Sequence, residues 1–211
     1  MTNLIESLQW RYATKKFDAS KKVAQQDIDE LINVLQLSAS SYGLQPYKFL
    51  VISNPELKKK LQPVTWNQAQ TVDASHLVVF CSYTQLSGED IDAFIQRISE
   101  ARNIPLDTVQ GYGDFIKGKV SEKSAQAITD WNARQAYIAI GKLLTVCAQK
   151  GIDTCPMEGF EPQQYDQLLG LSEKGLQAVA LVAIGYRSEE DATQHLTKVR
   201  KPVEELVEIY N

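Results

Sequence analysis

The stretch 121–150 constrains this chain more than any other. Ile128, Trp131, Ala136, Ile138, Ile140, Leu143, Leu144 and Val146 recur at helical spacing and leave little polar circumference. A long helix that is apolar nearly all round is either central to the fold or buried against a second subunit. Gly151 supplies its stop. Two apolar runs accompany it. The first, 76–82 (HLVVFCS), has the length and β-branching of a strand buried on both faces, and 176–185 (LQAVALVAIG) predicts a second core strand.

The remaining elements follow from shorter patterns. Residues 3–10 predict a short helix with Leu4, Ile5 and Leu8 turned inward. In 27–37, Ile28, Leu31, Ile32 and Leu35 form a helical stripe. The stretch 38–46 combines small polar residues with Gly43 and Pro46, which predicts a loop. A strand is expected at 48–53. Pro55 opens a helix to about Leu61, and 63–74 reads as helical and polar on one face. A helical pattern resumes over 88–102. The segment 105–119 holds Gly111, Gly113 and Gly118 with Tyr112 and Phe115, and is expected to be a mobile cover over a binding site. An extended piece and a turn follow at 152–160, then a brief helix at 163–169. The tail, 188–211, is polar, and its mildly apolar end at 203–210 either frays or lies on another surface. With no internal repeat, linker or composition break, residues 1–211 read as one domain.

Charge narrows the function. The formal net charge is -4 and the pI is ≈ 5.3, which argues against a nucleic-acid binder. No apolar run is long enough to cross a bilayer, and 1–6 lacks the pattern of a secretion signal. Cys81, Cys147 and Cys155, an odd number with no CxxC, read as reduced and buried, which predicts a cytoplasmic protein. The two histidines, His76 and His195, form no HExxH or Cys/His metal motif. GxSxG, GxGxxG and GxxxxGK[ST] are all missing. Asp73, Ser75 and His76 are the residue types of a hydrolytic triad, but neighbours in sequence cannot reach that geometry, and His76 reads as structural.

Against this acidic background, Arg11-Tyr12-Ala13-Thr14-Lys15-Lys16-Phe17 packs three cations into one short stretch. In an extended conformation Arg11, Ala13 and Lys15 point one way. Fixed cations on one side of a strand make an anion site, and phosphate is the anion that suits them. A second basic cluster, Lys198-Val199-Arg200-Lys201, lies near the other end of the chain. A phosphate held by both would explain the pair; solvated surface is the other reading of each. Hydroxyls and amides (Ser40, Ser41, Gln45, Asn67, Gln70) and the loop 156–159 would suit a flat phosphorylated heterocycle such as flavin mononucleotide (FMN).

Taken in order, Arg11 to Phe17, Ser38 to Pro46, Asp73 to His76 before the strand, and Pro156-Met157-Glu158-Gly159-Phe160 resemble the nitroreductase family, in particular its oxygen-insensitive NAD(P)H branch. The resemblance runs on through Gly185 to Lys198 and Arg200. It implies an α+β fold, with a central mixed, mainly antiparallel sheet flanked by helices. It also implies a homodimer with exchanged C-terminal segments and one FMN in each of two interface sites. NAD(P)H would be the co-substrate, and hydride would pass through flavin N5 to a nitroaromatic, quinone or similar acceptor in ping-pong fashion. Carried over residue by residue, Arg11, Lys198 and Arg200 would hold the phosphate, and Lys15 would sit by the pyrimidine edge. Tyr12, Ala13, Asn67, Gln70, Pro156 and Met157 would contact the cofactor. The Glu158 and Gly159 backbone would face the reacting edge. Ala39, Ser40, Ser41 and Gly43 would wall the cofactor from the second subunit, and Tyr112 and Phe115 are candidates to meet substrate. No side chain is assigned as catalyst; Lys15, Glu158 and Gly159 support chemistry at the flavin. This chain has Gln70 where relatives often carry a second lysine, so the flavin potential is expected to be lower, and Ala13 where they often carry a serine, which leaves only the backbone to bond. The alternatives are a flavin-binding or flavin-sequestering protein without turnover, a reductase of this fold acting on a pteridine or activated alkene, and a structural homodimer.

Overall fold

The computed structural model describes residues 3–211. Its centre is a four-stranded sheet of β1 (Tyr47–Ile52), β2 (His76–Tyr83), β3 (Asp153–Met157) and β4 (Leu176–Gly185), in the order β1-β2-β4-β3. All three ladders are antiparallel, and among the described residues the one parallel pairing is an isolated bridge between Ala13 and Thr154. The two apolar runs, β2 and β4, are the middle strands and are buried on both faces.

Period-two alternation splits β2 between two cores. Leu77, Val79 and Cys81 face a cluster with Phe17, Leu61, Phe160, Tyr165 and Leu171, built largely from α3 (Pro55–Leu61) and α8 (Pro162–Leu169). Val78 and Phe80 face α2 (Gln25–Gln36) and α7 (Ala125–Gln149), which contribute Ile28, Leu31, Leu35, Ala136, Ile140 and Leu143. A third cluster joins α5 (Gly88–Arg102) to α6 (Asp107–Ser121) through Ile91, Ile95, Ile116 and Val120.

The long helix is central, as its composition predicts. It starts later than expected because Ser124 caps it, its side chain accepting from Ala127 N–H at 3.2 Å. Gly151, at φ +68°, ends it. One side of α7 stays uncovered: Tyr137 is 42% and Ile138 48% exposed.

Four expectations are corrected. In α1 (Leu4–Trp10), Leu4, Ile5 and Leu8 face outward, and Ser7 is the buried residue. A two-turn helix can set only a narrow side on α7, and it sets the small one there. In α2, Ile32 lies outside the buried stripe of Ile28, Leu31 and Leu35. The segment 105–119 is largely the regular helix α6. Gly113 is there because a Cβ would come within 2.8 Å of Ile95 Cγ1, so the glycine allows close packing on α5. Finally, 63–74 is a 3-10 turn at Pro63–Thr65, two residues with positive φ (Trp66 +52°, Asn67 +56°) and the short α4 (Gln70–Asp73). The tail carries α9 (Val203–Leu206) and buries none of its large apolar side chains.

Candidate functional site

The segment 11–17 is extended and runs beside β3. Thr14 N–H donates to Thr154 O at 3.2 Å, and Thr14 and Phe17 are buried while Lys15 and Lys16 are exposed. The chain after β4 lies along it: Asp18 N–H donates to Tyr186 O at 2.8 Å, and Ser188 N–H to Lys16 O at 2.9 Å. Lys198 then reaches back, its Nζ donating to the carbonyls of Leu8 and Arg11. Both basic clusters thus meet at one cleft of ≈ 400 Å³, lined by Arg11, Tyr12, Ala13, Thr193, Lys198 and Arg200 among others. Among the described residues, no carboxylate lines it. Arg11 Nε is buried without a hydrogen-bond partner. Burial, then the charge of Arg200, lowers the Arg11 pKa. Burial, then Arg11 and Arg200, lowers that of Lys198. Mutually repelling cations with an unclaimed donor are the chemistry that a phosphate group satisfies.

Ala13 of the cleft bridges to Thr154, and the next residue of β3, Cys155, has a buried thiol. Burial raises its pKa, while the Lys15 charge, a hydrogen bond from Gln70 and the Arg11 charge oppose that. The charges of Lys15 and Arg11 and the Gln70 amide thus all act on this one buried thiol, although Gln70 is far from the other two in sequence. At the end of β3, Pro156 is exposed and Met157 is core. The N–H groups of Glu158 and Gly159 have no protein acceptor among the described residues. Gly159 is required here: a Cβ would lie 2.8 Å from the Trp66 ring, and its carbonyl accepts from Gln68 Nε2 at 2.8 Å. Trp66 is held by Glu161, its Nε1 donating at 2.7 Å. The neighbouring Asn67 is exposed. Tyr137 of α7 donates its hydroxyl to the Glu158 carboxylate; burial and then that carboxylate push the Tyr137 pKa up to about 12.

A second group of predicted residues sits elsewhere. Ser41 N–H donates to Gln135 Oε1 at 2.8 Å, and Ser40 Oγ accepts from Gln45 N–H at 2.9 Å. Tyr42, at φ +57°, places its ring against Tyr112 (6.5 Å), Phe115 (6.2 Å) and Trp131 (6.0 Å), each edge-on. The candidate substrate aromatics thus gather on the turn that also carries Ala39 and Gly43. Gln135 and Tyr137 point to opposite sides of α7, roughly 200° apart. No hydrogen bond, ion pair or ring contact links this group to the cationic cleft among the described residues.

The sequence reading missed Asp191, Trp66 and Tyr137. Asp191 is one of 26 acidic residues and carries no local signal. Trp66 lies in 63–74, which reads as a helix polar on one face and gives no sign of the positive φ there. Tyr137 is one of several polar-tipped residues on α7, and nothing local sets it apart. His76 is structural: its Nδ1 lies 2.9 Å from Ser75 Oγ, which also accepts from Val23 N–H at 2.9 Å.

The chain is similar to known proteins in three ways. The model of the Nitroreductase family matches residues 8–186. YfkO of Bacillus subtilis, provisionally named an NAD(P)H nitroreductase, is 36% identical, covering 98% of this chain and 96% of its own. The oxygen-insensitive NAD(P)H nitroreductase of Salmonella typhimurium is 34% identical over 92% of this chain and 93% of its own. A provisionally named nitroreductase of Exiguobacterium sibiricum, crystallised in complex with FMN, superposes with a TM-score of 0.86 at 22% identity, covering 100% of this chain and 98% of its own. Matched along most of its length by the family model and by relatives above 30% identity, the chain belongs to the nitroreductase family.

Proposed function

We propose that this protein is a homodimeric, FMN-dependent NAD(P)H oxidoreductase acting on nitroaromatics, quinones and similar electrophiles. The observation that carries the reading is the cleft where Arg11, Lys198 and Arg200 converge without a carboxylate and with Arg11 Nε unpaired. When bound, FMN supplies a centre that takes hydride from NAD(P)H at N5 and gives it to the acceptor in a second, separate binding event. The protein's part is to hold and polarise that group. Arg11, Lys198 and Arg200 bind its phosphate. Tyr12 and Ala13 line the same cleft. Lys15 offers a positive charge to the ring's electron-rich edge, where a fixed cation stabilises accumulating negative charge. Glu158 and Gly159 offer the two unclaimed N–H groups. Asn67, Gln70, Pro156 and Met157 lie on the segments that close around them.

Exposed apolar surface supports the dimer. The outer sides of α1 and α7 and the whole of 203–211 bury little against their own chain, which asks for a covering partner. Beside the edge strand β1 runs a groove of ≈ 640 Å³ lined by Lys48, Phe49, Phe94, Arg97, Ile98 and Arg102, among others. The tail alternates Glu204, Glu205 and Glu208 with Val203, Leu206, Val207, Ile209 and Tyr210. Its acids and apolar side chains complement that groove, so a partner's tail is the occupant this reading gives it. Ser40, Ser41 and Gly43, which stand apart from the cleft in one chain, then reach the cleft of the other copy.

The test is spectroscopic. Purified protein should be yellow, should bleach anaerobically with NADH or NADPH, and should regain colour with menadione or a nitrofuran. A colourless protein that takes up no added FMN would sink the proposal. Bound flavin that neither nucleotide bleaches would leave a binding protein without turnover.

A further inference from the structure

Asp191 is 3% exposed and belongs to neither basic cluster. Its Oδ2 accepts from the Tyr12 hydroxyl at 2.8 Å, Lys15 N–H at 2.8 Å and Lys16 N–H at 3.1 Å. Its Oδ1 accepts from Thr193 N–H at 3.0 Å. Its own backbone closes the turn that follows, with the carbonyl accepting from Gln194 N–H at 3.1 Å and Gln194 Nε2 at 2.9 Å. Three of the donors to the carboxylate therefore come from the strip that carries Arg11 and Lys15. The fourth comes from the strip that leads to Lys198 and Arg200.

Every donor to this carboxylate is electrically neutral, and it forms no ion pair among the described residues. That distinction sets its role. A carboxylate that neutralised the cations would compete with an anionic ligand. This one instead uses its charge to strengthen hydrogen bonds to backbone and phenol, and leaves Arg11 Nε unclaimed. We propose that Asp191 is the positioning residue of the phosphate clamp: it fixes the spacing between the Arg11 strip and the Arg200 strip without touching the ligand. The inference rests on the FMN reading above and adds a residue to it.

Removing the charge while keeping the shape breaks the arrangement. In Asp191→Asn one oxygen becomes an NH₂ group, which meets N–H or O–H donors where it needs acceptors. The strips would then part at the phosphate end, while Gln70 and the 158–159 loop, which Asp191 does not hold, remain to hold the ring. FMN and riboflavin share that ring and differ in the phosphate, so the pair isolates the effect. Dissociation constants of both should be measured on flavin-free protein by fluorescence quenching, with thermal unfolding as a check on folding. Asp191→Asn should weaken FMN by about tenfold or more and leave riboflavin within about twofold. Equal loss of both flavins, or no loss of FMN, would overturn the proposal. Tyr12→Phe removes one donor and leaves the backbone intact, so it decides the matter should Asp191→Asn not fold. It should lower the FMN-over-riboflavin preference by about threefold, and an unchanged preference overturns the positioning role. Native protein that binds neither flavin would sink the FMN reading itself, whatever the variants do.

Discussion

Arg11, Lys198 and Arg200 illustrate how a residue's surroundings, rather than its type, define a site. Each is an ordinary surface cation by composition; in one cleft, burial and then the neighbouring charges lower the pKa of Arg11 and Lys198. Arg200→Ala should cut FMN affinity by about tenfold, the worth of one charge-assisted contact, read as flavin lost on dialysis; full retention would remove Arg200 from the clamp. Lys15→Ala should lower the flavin midpoint by about 30 mV, and Gln70→Lys should raise it. A midpoint unmoved by both would mean that neither side chain reaches the ring. Asp191 adds a pH dependence. Burial pushes its pKa up, but donors from Lys16, Tyr12, Lys15 and Thr193 outweigh that and hold it at about 2. The folded pKa lies below the unfolded one, so its stabilisation is complete above about pH 4 and is lost as pH falls toward 2. Chemical unfolding across that window should show a steeper acid loss in the native protein than in Asp191→Asn.

At the scale of elements, α6 shows how one residue type carries two meanings. Glycine weakens a helix by about 1 kcal/mol relative to alanine, which is why 105–119 reads as mobile. Yet Gly113 is buried against Ile95, whereas a Cβ at Gly111 would meet nothing within 4 Å. Gly111→Ala should therefore stabilise the fold by about 0.5–1 kcal/mol. Gly113→Ala should destabilise it by about 1–3 kcal/mol, because stiff, buried Ile95 must shift. Urea midpoints would check the opposite signs, and two stabilised variants would mean that α5 and α6 are not in close contact. The helix α7 works differently. Its apolar circumference is long enough to serve the sheet on one side and leave Tyr137 and Ile138 for another surface.

For the molecule as a whole, one chain holds two groups of predicted site residues that no hydrogen bond or ring contact joins among the described residues, and a tail whose large apolar side chains stay exposed. Deleting 203–211 should shift the protein from dimer toward monomer in sedimentation velocity and should weaken FMN retention. A shortened protein that stays dimeric and yellow would rule out the exchanged tail. The amino-acid order alone determined the central pair β2 and β4, the long helix α7 and the existence of two basic clusters, because apolar periodicity and charge are written in neighbouring residues. Tertiary structure alone decided that Lys198 folds back onto the Arg11 carbonyl, 187 residues away, that Asp191 rather than any other acid ties the two strips, and that Leu4, Ile5 and Leu8 look outward. Those outcomes depend on which distant surfaces fill each space first. A helix carries its apolar side in its own sequence, but the partner that side meets is settled only when the rest of the chain has packed.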